Sequence, residues 1–355
     1  MRKVTVVLPA GATPAELLAA AGLDPAEFSV ARTVSQKEDR HGLFAYTLEV
    51  REGPALDLDQ LYSGPRLRVL KPSPKGIGRA RIFLFTDPQI GKVDSRRGVE
   101  SGTAEFIALM GRIRAEIKAD LRSRPVERAL LADGGDGIES VQNTSSQLFT
   151  SDLSEPQAVA VLTRELHALA IVIYPHVSRL DVAWTPSNHA RWRAGKAQLG
   201  RVGDDWGGTA HAAVRLATEA AGLPITYSGP RGLWDDITFA DFWGHQVALH
   251  HGDRARPGSA GFEAWIAKMA RGGETAGVEL WLTGHYHNLR LGAVAVTPAG
   301  VTAWHLQGPA LDPGSAYFMN AGGIGGKPGL ASIDVTRESG VDLSSLHVFT
   351  GETAA

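Results

Sequence analysis

Apolar and polar positions alternate over Lys3–Leu8, the period of a half-buried strand. Thr13, Pro14 and Glu16 then supply an N-cap, an N1 proline and an N3 carboxylate ahead of the apolar stretch Leu17–Ala21, which predicts a short helix. Asp24, Pro25 and Glu27 repeat that start signal. Phe28–Val34 and Leu43–Val50, rich in alternating β-formers on either side of the polar SQKEDRHG, predict a hairpin. Residues 1–73 thus read as a small α+β module of β-α-β-β order, closed off by the PSPKGIG punctuation at Pro72–Gly78.

The pattern lengthens in residues 74–355. RIFLFT is an apolar run of buried-strand length, Thr103–Leu121 has helical periodicity, and Arg128–Ala132 is a second buried strand. Pro156–Tyr174 predicts a helix, Leu180–Thr185 a strand, and Thr209–Ala221 a helix stopped by Gly222 and Pro224. Strands alternating with helices imply a largely parallel sheet with helices packed on it. Further on, Ile237–Ala240, Gln246–His250 and Leu280–Thr283 read as strands, with more between Leu289 and Phe349 and one helix at Phe262–Ala270. The sum is an α/β fold with two sheets and helices outside each.

Composition narrows the chemistry. The 355 residues contain no cysteine, which removes disulfides, thiolate nucleophiles and Cys-ligated metals and leaves His, Asp, Glu and Asn as the strong candidate ligands. A net charge of −2 argues against nucleic-acid binding by bulk charge. One local strip is basic: Arg66, Arg68, Lys71, Lys75, Arg79 and Arg81 run without an acidic residue, as an ordinary solvated linker or as a phosphate contact. No stretch reads as a signal peptide or a membrane span, so a cytoplasmic protein with no membrane partner is the expectation. Neither AGGIGGKPG nor RPGSAG meets its motif: Ala321 and Pro328 break a phosphate loop, and Pro257 breaks a nucleophile elbow.

Polar groups collect at strand ends. RIFLFT leads into Asp87 and Gln89, RALLA into Asp136, LDVAWT into Asn188 and His189, QVALH into His251 and Asp253, and ELWLT into His285 and His287. The carboxyl ends of an open α/β sheet lie along one edge, where a crevice forms. Carboxylates, an amide oxygen and imidazoles converging there can hold divalent cations.

These motifs resemble those of the calcineurin-like metallophosphoesterases: Asp-x-His, Gly-Asp-x-x-Asp/Glu, Gly-Asn-His-Asp/Glu, His-Gly and Gly-His-x-His. This chain reads Asp87-Pro-Gln89, Gly135-Asp136-Gly-Ile-Glu139, Ser187-Asn188-His189-Ala190, His251-Gly252 and Gly284-His285-Tyr-His287. Each motif is weak alone; five in order, each after a strand, are a strong signal. The resemblance covers about Arg81 to Val335 and implies a four-layer α-β-β-α sandwich with two divalent ions, Mn²⁺ foremost and Mg²⁺, Zn²⁺ or Fe²⁺ as alternatives. It implies Asp87, Gln89, Asp136 and His287 around one ion and Asp136, Asn188, His251 and His285 around the other. His189 would donate the leaving-group proton, with Glu139 orienting its imidazole. His250 is the alternative to His251, and strand alternation points it to the other face. Asp133 reads as a turn residue.

Three positions depart from the family pattern. Gln89 replaces a His and is a weaker, harder donor, while Ala190 and Ser187 replace an acid and a Gly. An Asp-x-Gln first motif is similar to that of some bacteriophage-encoded members. Arg191 and Arg193 are the candidate substrate-binding residues, beside Lys92, Arg96, Arg97, Lys196 and Arg201, with Trp192 or Trp206 available for base stacking. The favoured activity is hydrolysis of phosphodiesters in nucleic acid, as in the double-strand-break repair nucleases. The alternatives are a small-molecule phosphodiesterase or phosphomonoesterase, and a nucleic-acid-binding or scaffolding protein with a degraded metal site. The N-terminal module is a candidate surface for substrate or a protein partner.

Overall fold

The computed structural model describes residues 2–10, 12–25, 27–38, 43–52, 76–96, 99–140, 151–194, 197–232, 234–254, 261–270, 273–312 and 326–352. Pro72–Lys75 of the expected boundary, and Arg66, Arg68, Lys71 and Lys75 of the basic strip, lie outside the described residues, as do Arg97, Lys196 and most of RPGSAG and AGGIGGKPG. The chain divides into two compact units, Met1–Ser63 and Gly64–Ala355.

In the first unit β1 (Arg2–Pro9), β2 (Phe28–Glu38) and β3 (Leu43–Glu52) form an antiparallel sheet in the order β1-β3-β2. Helix α1 (Pro14–Ala20) starts at a capping box: Thr13 Oγ1 accepts from Glu16 N, and Glu16 Oε2 accepts from Thr13 N. Its Leu17 and Leu18 pack with Val6, Leu23, Tyr46, Leu48 and Val50. The second start signal produces only a turn, in which Glu27 N and Phe28 N donate to Asp24 O. Phe28 already opens β2, so no room is left for a helical nucleus to propagate.

The second unit carries two sheets. The first has the order β11-β8-β7-β4-β17-β18, built from β4 (Arg79–Phe85), β7 (Arg128–Asp133), β8 (Arg179–Trp184), β11 (Thr226–Ser228), β17 (Leu330–Thr336) and β18 (Gly340–Phe349). Strands β11, β8, β7 and β4 run parallel, and β17 and β18 close the edge antiparallel. The second sheet has the order β12-β13-β14-β16-β15: Thr238–Phe242, His245–Leu249, Val278–Thr283, Thr302–Gln307 and Arg290–Val296. Its β13, β14 and β16 are parallel, flanked by antiparallel β12 and β15. Two small hairpins, β5 (Asp94–Arg96) with β6 (Val99–Ser101) and β9 (Arg193–Ala194) with β10 (Ala197–Gln198), lie in the connections.

Ile82 and Leu84 of β4, Leu130 and Ala132 of β7, Val247 and Leu249 of β13, Leu280 and Leu282 of β14 and Ile333 of β17 fill the space between the sheets. Helices α2 (Thr103–Ser123), α3 (Glu155–Ile173) and α4 (Trp206–Ala220) cover the outer face of the first sheet. Helix α5 (Phe262–Ala270) places Phe262 and Ile266 on Ala248 and Trp281 of the second. This is the expected four-layer α-β-β-α sandwich. The stretch Glu155–His176, which includes α3, is long and apolar enough to cross a membrane by composition, contrary to the expectation that no segment is. Here its Val161, Leu162, Leu166, Leu169 and Ile173 are buried in the sandwich.

Alternation along β4 sends Arg81 to the helix side, where it is buried. Its guanidinium takes both oxygens of Asp334, at 2.7 and 3.0 Å, and also Asp120 of α2. Arg79 pairs with Asp334 and Asp342 at 3.0 Å. These two basic residues of the strip thus hold the sheet to its own carboxylates.

Candidate metal centre

The register Phe85↔Asp133↔Trp184 sets the ends of β4, β7 and β8 side by side, and Leu249↔Leu282 does so for β13 and β14. Backbone hydrogen bonds then lace the following loops together. Asp87 N donates to Gly135 O, Gln89 N to Asp136 O, Gly284 N to His251 O, and Asp312 N to Asp87 O, all at 2.9–3.0 Å. Asp87, Gln89, Asp136, His285 and His287 all have positive φ, between 42° and 72°. Each costs of order 1–3 kcal/mol, so strain is concentrated in the turns that present the expected ligands.

Two glycines make this close approach feasible. A Cβ on Gly135 would lie 2.6 Å from Ser187 Cβ and 3.0 Å from His251 Nδ1, and one on Gly284 would strike the Asp87 carboxylate. Asp87 is fully buried and accepts from His285 N on both oxygens, at 2.9 and 3.0 Å.

Four ligand atoms meet behind these loops. His251 Nδ1 lies 2.8 Å from Gly134 O, to which it donates, and this leaves Nε2 facing inward. Around that Nε2 stand Asn188 Oδ1 at 2.8 Å, Asp136 Oδ2 at 3.2 Å and His285 Nδ1 at 3.2 Å. The donors of Asp136, His251 and His285 lie within 4.8 Å of one another. Two imidazole nitrogens, a carboxylate and an amide oxygen facing a common point suit a divalent cation, and the Gly134 bond fixes one ring in the ligating tautomer. Burial alone would raise Asp136, yet the charges of His251 and His189 hold it well below the usual carboxylate range. Asp136 in turn raises His251 to about 10 against its burial. Burial and the neighbouring His251 lower His285 to about 4. Without an ion, the neighbouring carboxylates thus favour a proton on His251, a charge that a bound cation would replace.

The remaining expected residues surround this cluster. His287 Nε2 is 3.5 Å from Asp87 Oδ1 and 3.5 Å from Gln89 Nε2. His189 N donates to Asp136 Oδ1 at 2.8 Å, its Nδ1 is 3.1 Å from Glu139 Oε2, and its Nε2 is 3.9 Å from Asp136 Oδ2. Burial opposes the charge on His189, but Asp136 and Glu139 outweigh it and raise the imidazole to about 9. His250 turns away, its ring 4.7 Å from that of Trp265 and its Nδ1 accepting from Gly252 N.

Arg191 is buried and pairs with Asp253 at 3.2 Å, so its guanidinium is directed into the protein. Arg193 is half-buried within reach of the Asp136 and Asp253 charges, and Trp192 between them is 50% exposed. Ala190 is fully buried and its carbonyl accepts from Trp206 N.

Three supporting carboxylates carry no sequence signal as a site. Asp133 accepts from Gly135 N at 2.9 Å, as a turn residue does, and also pairs with buried His211 of α4 at 2.8 Å. Asp205 accepts from Ser187 N and Gly207 N, and burial raises it to about 6. Asp312 reaches the centre from the loop after β16.

No family model and no curated protein matches this sequence. Among solved structures, the chain is similar to zinc-complexed Vps29 from Entamoeba histolytica, at 10% identity over 77% of this chain and 99% of that one, TM-score 0.30. It is similar to the calcineurin-like phosphoesterase YfkN from Bacillus subtilis, at 13% identity over 77% and 91%, TM-score 0.33. It is also similar to the purple acid phosphatase PPD1 from yellow lupin, at 12% identity over 94% and 64%, TM-score 0.35. Superpositions at scores of 0.30 to 0.35 carry no weight for function, which rests on the donor set at the strand ends.

Proposed function

We propose that the protein is a divalent-metal-dependent phosphoesterase of the calcineurin-like kind and that its substrate is a phosphodiester in nucleic acid. The observation that carries this reading is the convergence of Asp136, Asn188, His251 and His285 on one point, with strained backbone at five expected ligands. A bound divalent ion would polarise the phosphoryl oxygens and lower the pKa of water in the site.

The chain's own groups supply the rest. His189 holds Nε2 3.9 Å from Asp136 Oδ2, beside the ion site, from where its protonated form would donate to the leaving oxygen. Glu139 holds Nδ1 and keeps the ring in place through that transfer. Asp136 anchors His189 through its backbone N–H, so the ion ligand and the acid move together. Exposed Trp192, three residues after His189 in the chain, offers a stacking face, which favours a nucleic-acid substrate over an isolated phosphomonoester.

The test is turnover of bis-p-nitrophenyl phosphate, p-nitrophenyl phosphate, cyclic nucleotides and labelled DNA in the presence of Mn²⁺. Hydrolysis of the diester and of DNA is expected, with DNA cleavage weakened by Trp192→Ala. Activity on the monoester alone would eliminate the nucleic-acid substrate, and inactivity on all four would eliminate the enzyme.

A further inference from the structure

We propose that the centre holds a single divalent ion and that the Lys92 ammonium stands in place of the second. The proposal rests on the phosphoesterase reading and departs from the two-ion expectation drawn from the motifs.

Gln89 has the backbone of a ligand: φ is 42° and its N–H is tied to Asp136 O. The one atom with which it could bind a cation, Oε1, accepts instead from Lys92 Nζ at 2.9 Å. The same ammonium pairs with Asp312, and the two side chains are only 9% and 4% exposed. Both are held by the loops that form the centre, since Lys92 N donates to Gln89 O and Asp312 N donates to Asp87 O, each at 3.0 Å. This is a built cation site whose cation is covalent.

The amide orientation follows. With Oε1 on the ammonium, the Gln89 NH₂ lies 3.5 Å from His287 Nε2, so a donor faces the space an ion would need. Turning the amide over would set that NH₂ against the Lys92 NH₃⁺. An ion beside Asp87, Gln89 and His287 would thus meet an N–H and a nearby positive charge, which repels it. Among the described residues, the cluster of Asp, Glu and His donors within 4.8 Å comprises Asp136, His251 and His285, with Asp87 and His287 outside it. A lysine there supplies a fixed point charge for a phosphoryl oxygen, a role ammonium groups fill in other phosphate sites. The Asp-x-Gln motif and Lys92 then form one unit: the amide exists to receive the lysine.

The experiment counts Mn²⁺ bound to the full chain by equilibrium dialysis and reads its electron paramagnetic resonance, in wild type, Lys92→Gln and Lys92→Arg. Expected are one ion per chain with an isolated Mn²⁺ spectrum in wild type and Lys92→Arg, and a second ion in Lys92→Gln. Two ions in wild type, with a spin-coupled spectrum, would overturn the proposal and leave the phosphoesterase reading standing. No bound ion in wild type would overturn both. A folded Lys92→Gln that still binds one ion would remove the role given to Lys92, and if that variant does not fold the wild-type count and spectrum decide.

Discussion

Replacing Gly284 by alanine tests how tightly the centre is assembled. The new Cβ would overlap Asp87 Oδ2 and come within 3.3 Å of Asp87 Cγ and 3.0 Å of Thr86 Cβ. Asp87 cannot retreat, because its N–H is held by Gly135 O and its carbonyl by Asp312 N. The carboxylate must swing off the His285 N–H, which it holds with both oxygens. Overpacking costs about 1–3 kcal/mol and a lost charge-assisted hydrogen bond about 1.5–3 kcal/mol, so about 4 kcal/mol is expected, or a fall in Tm of about 10 °C. His285 loses its backbone anchor, and Mn²⁺ affinity should fall about 10–100-fold, as for other supporting contacts of metal ligands. Gly292→Ala is the control: nothing lies within 4 Å of its added Cβ, and a change within about 0.5 kcal/mol is expected. Thermal denaturation and calorimetric Mn²⁺ titration of the two variants decide the matter. Wild-type Tm and affinity in Gly284→Ala would refute the close approach of Asp87 to the Gly284 turn.

Removing the His189 side chain by His189→Ala should lower kcat by about 10²–10⁴ with bound Mn²⁺ unchanged, measured on bis-p-nitrophenyl phosphate. Arg81→Met leaves Asp334 buried with only the half-exposed Arg79, and chemical denaturation should show a loss of about 3–5 kcal/mol that Arg81→Met/Asp334→Leu largely recovers. His305 is held at about 3 by burial and then by Arg290, below its ordinary 6.5. The folded state resists the proton that the unfolded chain accepts, so stability from this group is full above about pH 6.5 and falls progressively toward pH 3, by about 5 kcal/mol in all. His305→Gln should flatten that limb of the stability–pH curve, and an unchanged acid limb would contradict the assignment.

The layers, and the gathering of polar residues at the strand ends, were legible because both depend on local pattern. Apolar runs such as RIFLFT mark strands buried on both faces, and polar residues directly after them mark the crevice edge. Chain-distant pairings were not legible: β17 returning antiparallel beside β4, and Arg81 meeting Asp334 across the sheet, depend on contacts that no window reveals. The same limit hides Asp133 with His211, and the turning of Arg191 onto Asp253. Gln89 was visible as a departure, with Lys92 three residues on, but Asp312, which pairs with that ammonium, meets them only through the fold.

The central claim is best tested by Mn²⁺-dependent hydrolysis of bis-p-nitrophenyl phosphate by wild type and Asp136→Asn, with bound Mn²⁺ counted in both. Asparagine keeps an oxygen for the His189 N–H, now at 2.8 Å, so the fold is expected to hold while the charge that gathers His251 and His189 is lost. Metal-dependent turnover in wild type, with both metal and turnover lost in Asp136→Asn, is the expected result. A wild type that binds no Mn²⁺ and turns over no diester, or an Asp136→Asn as active as wild type, would contradict a metal-dependent phosphoesterase at these strand ends.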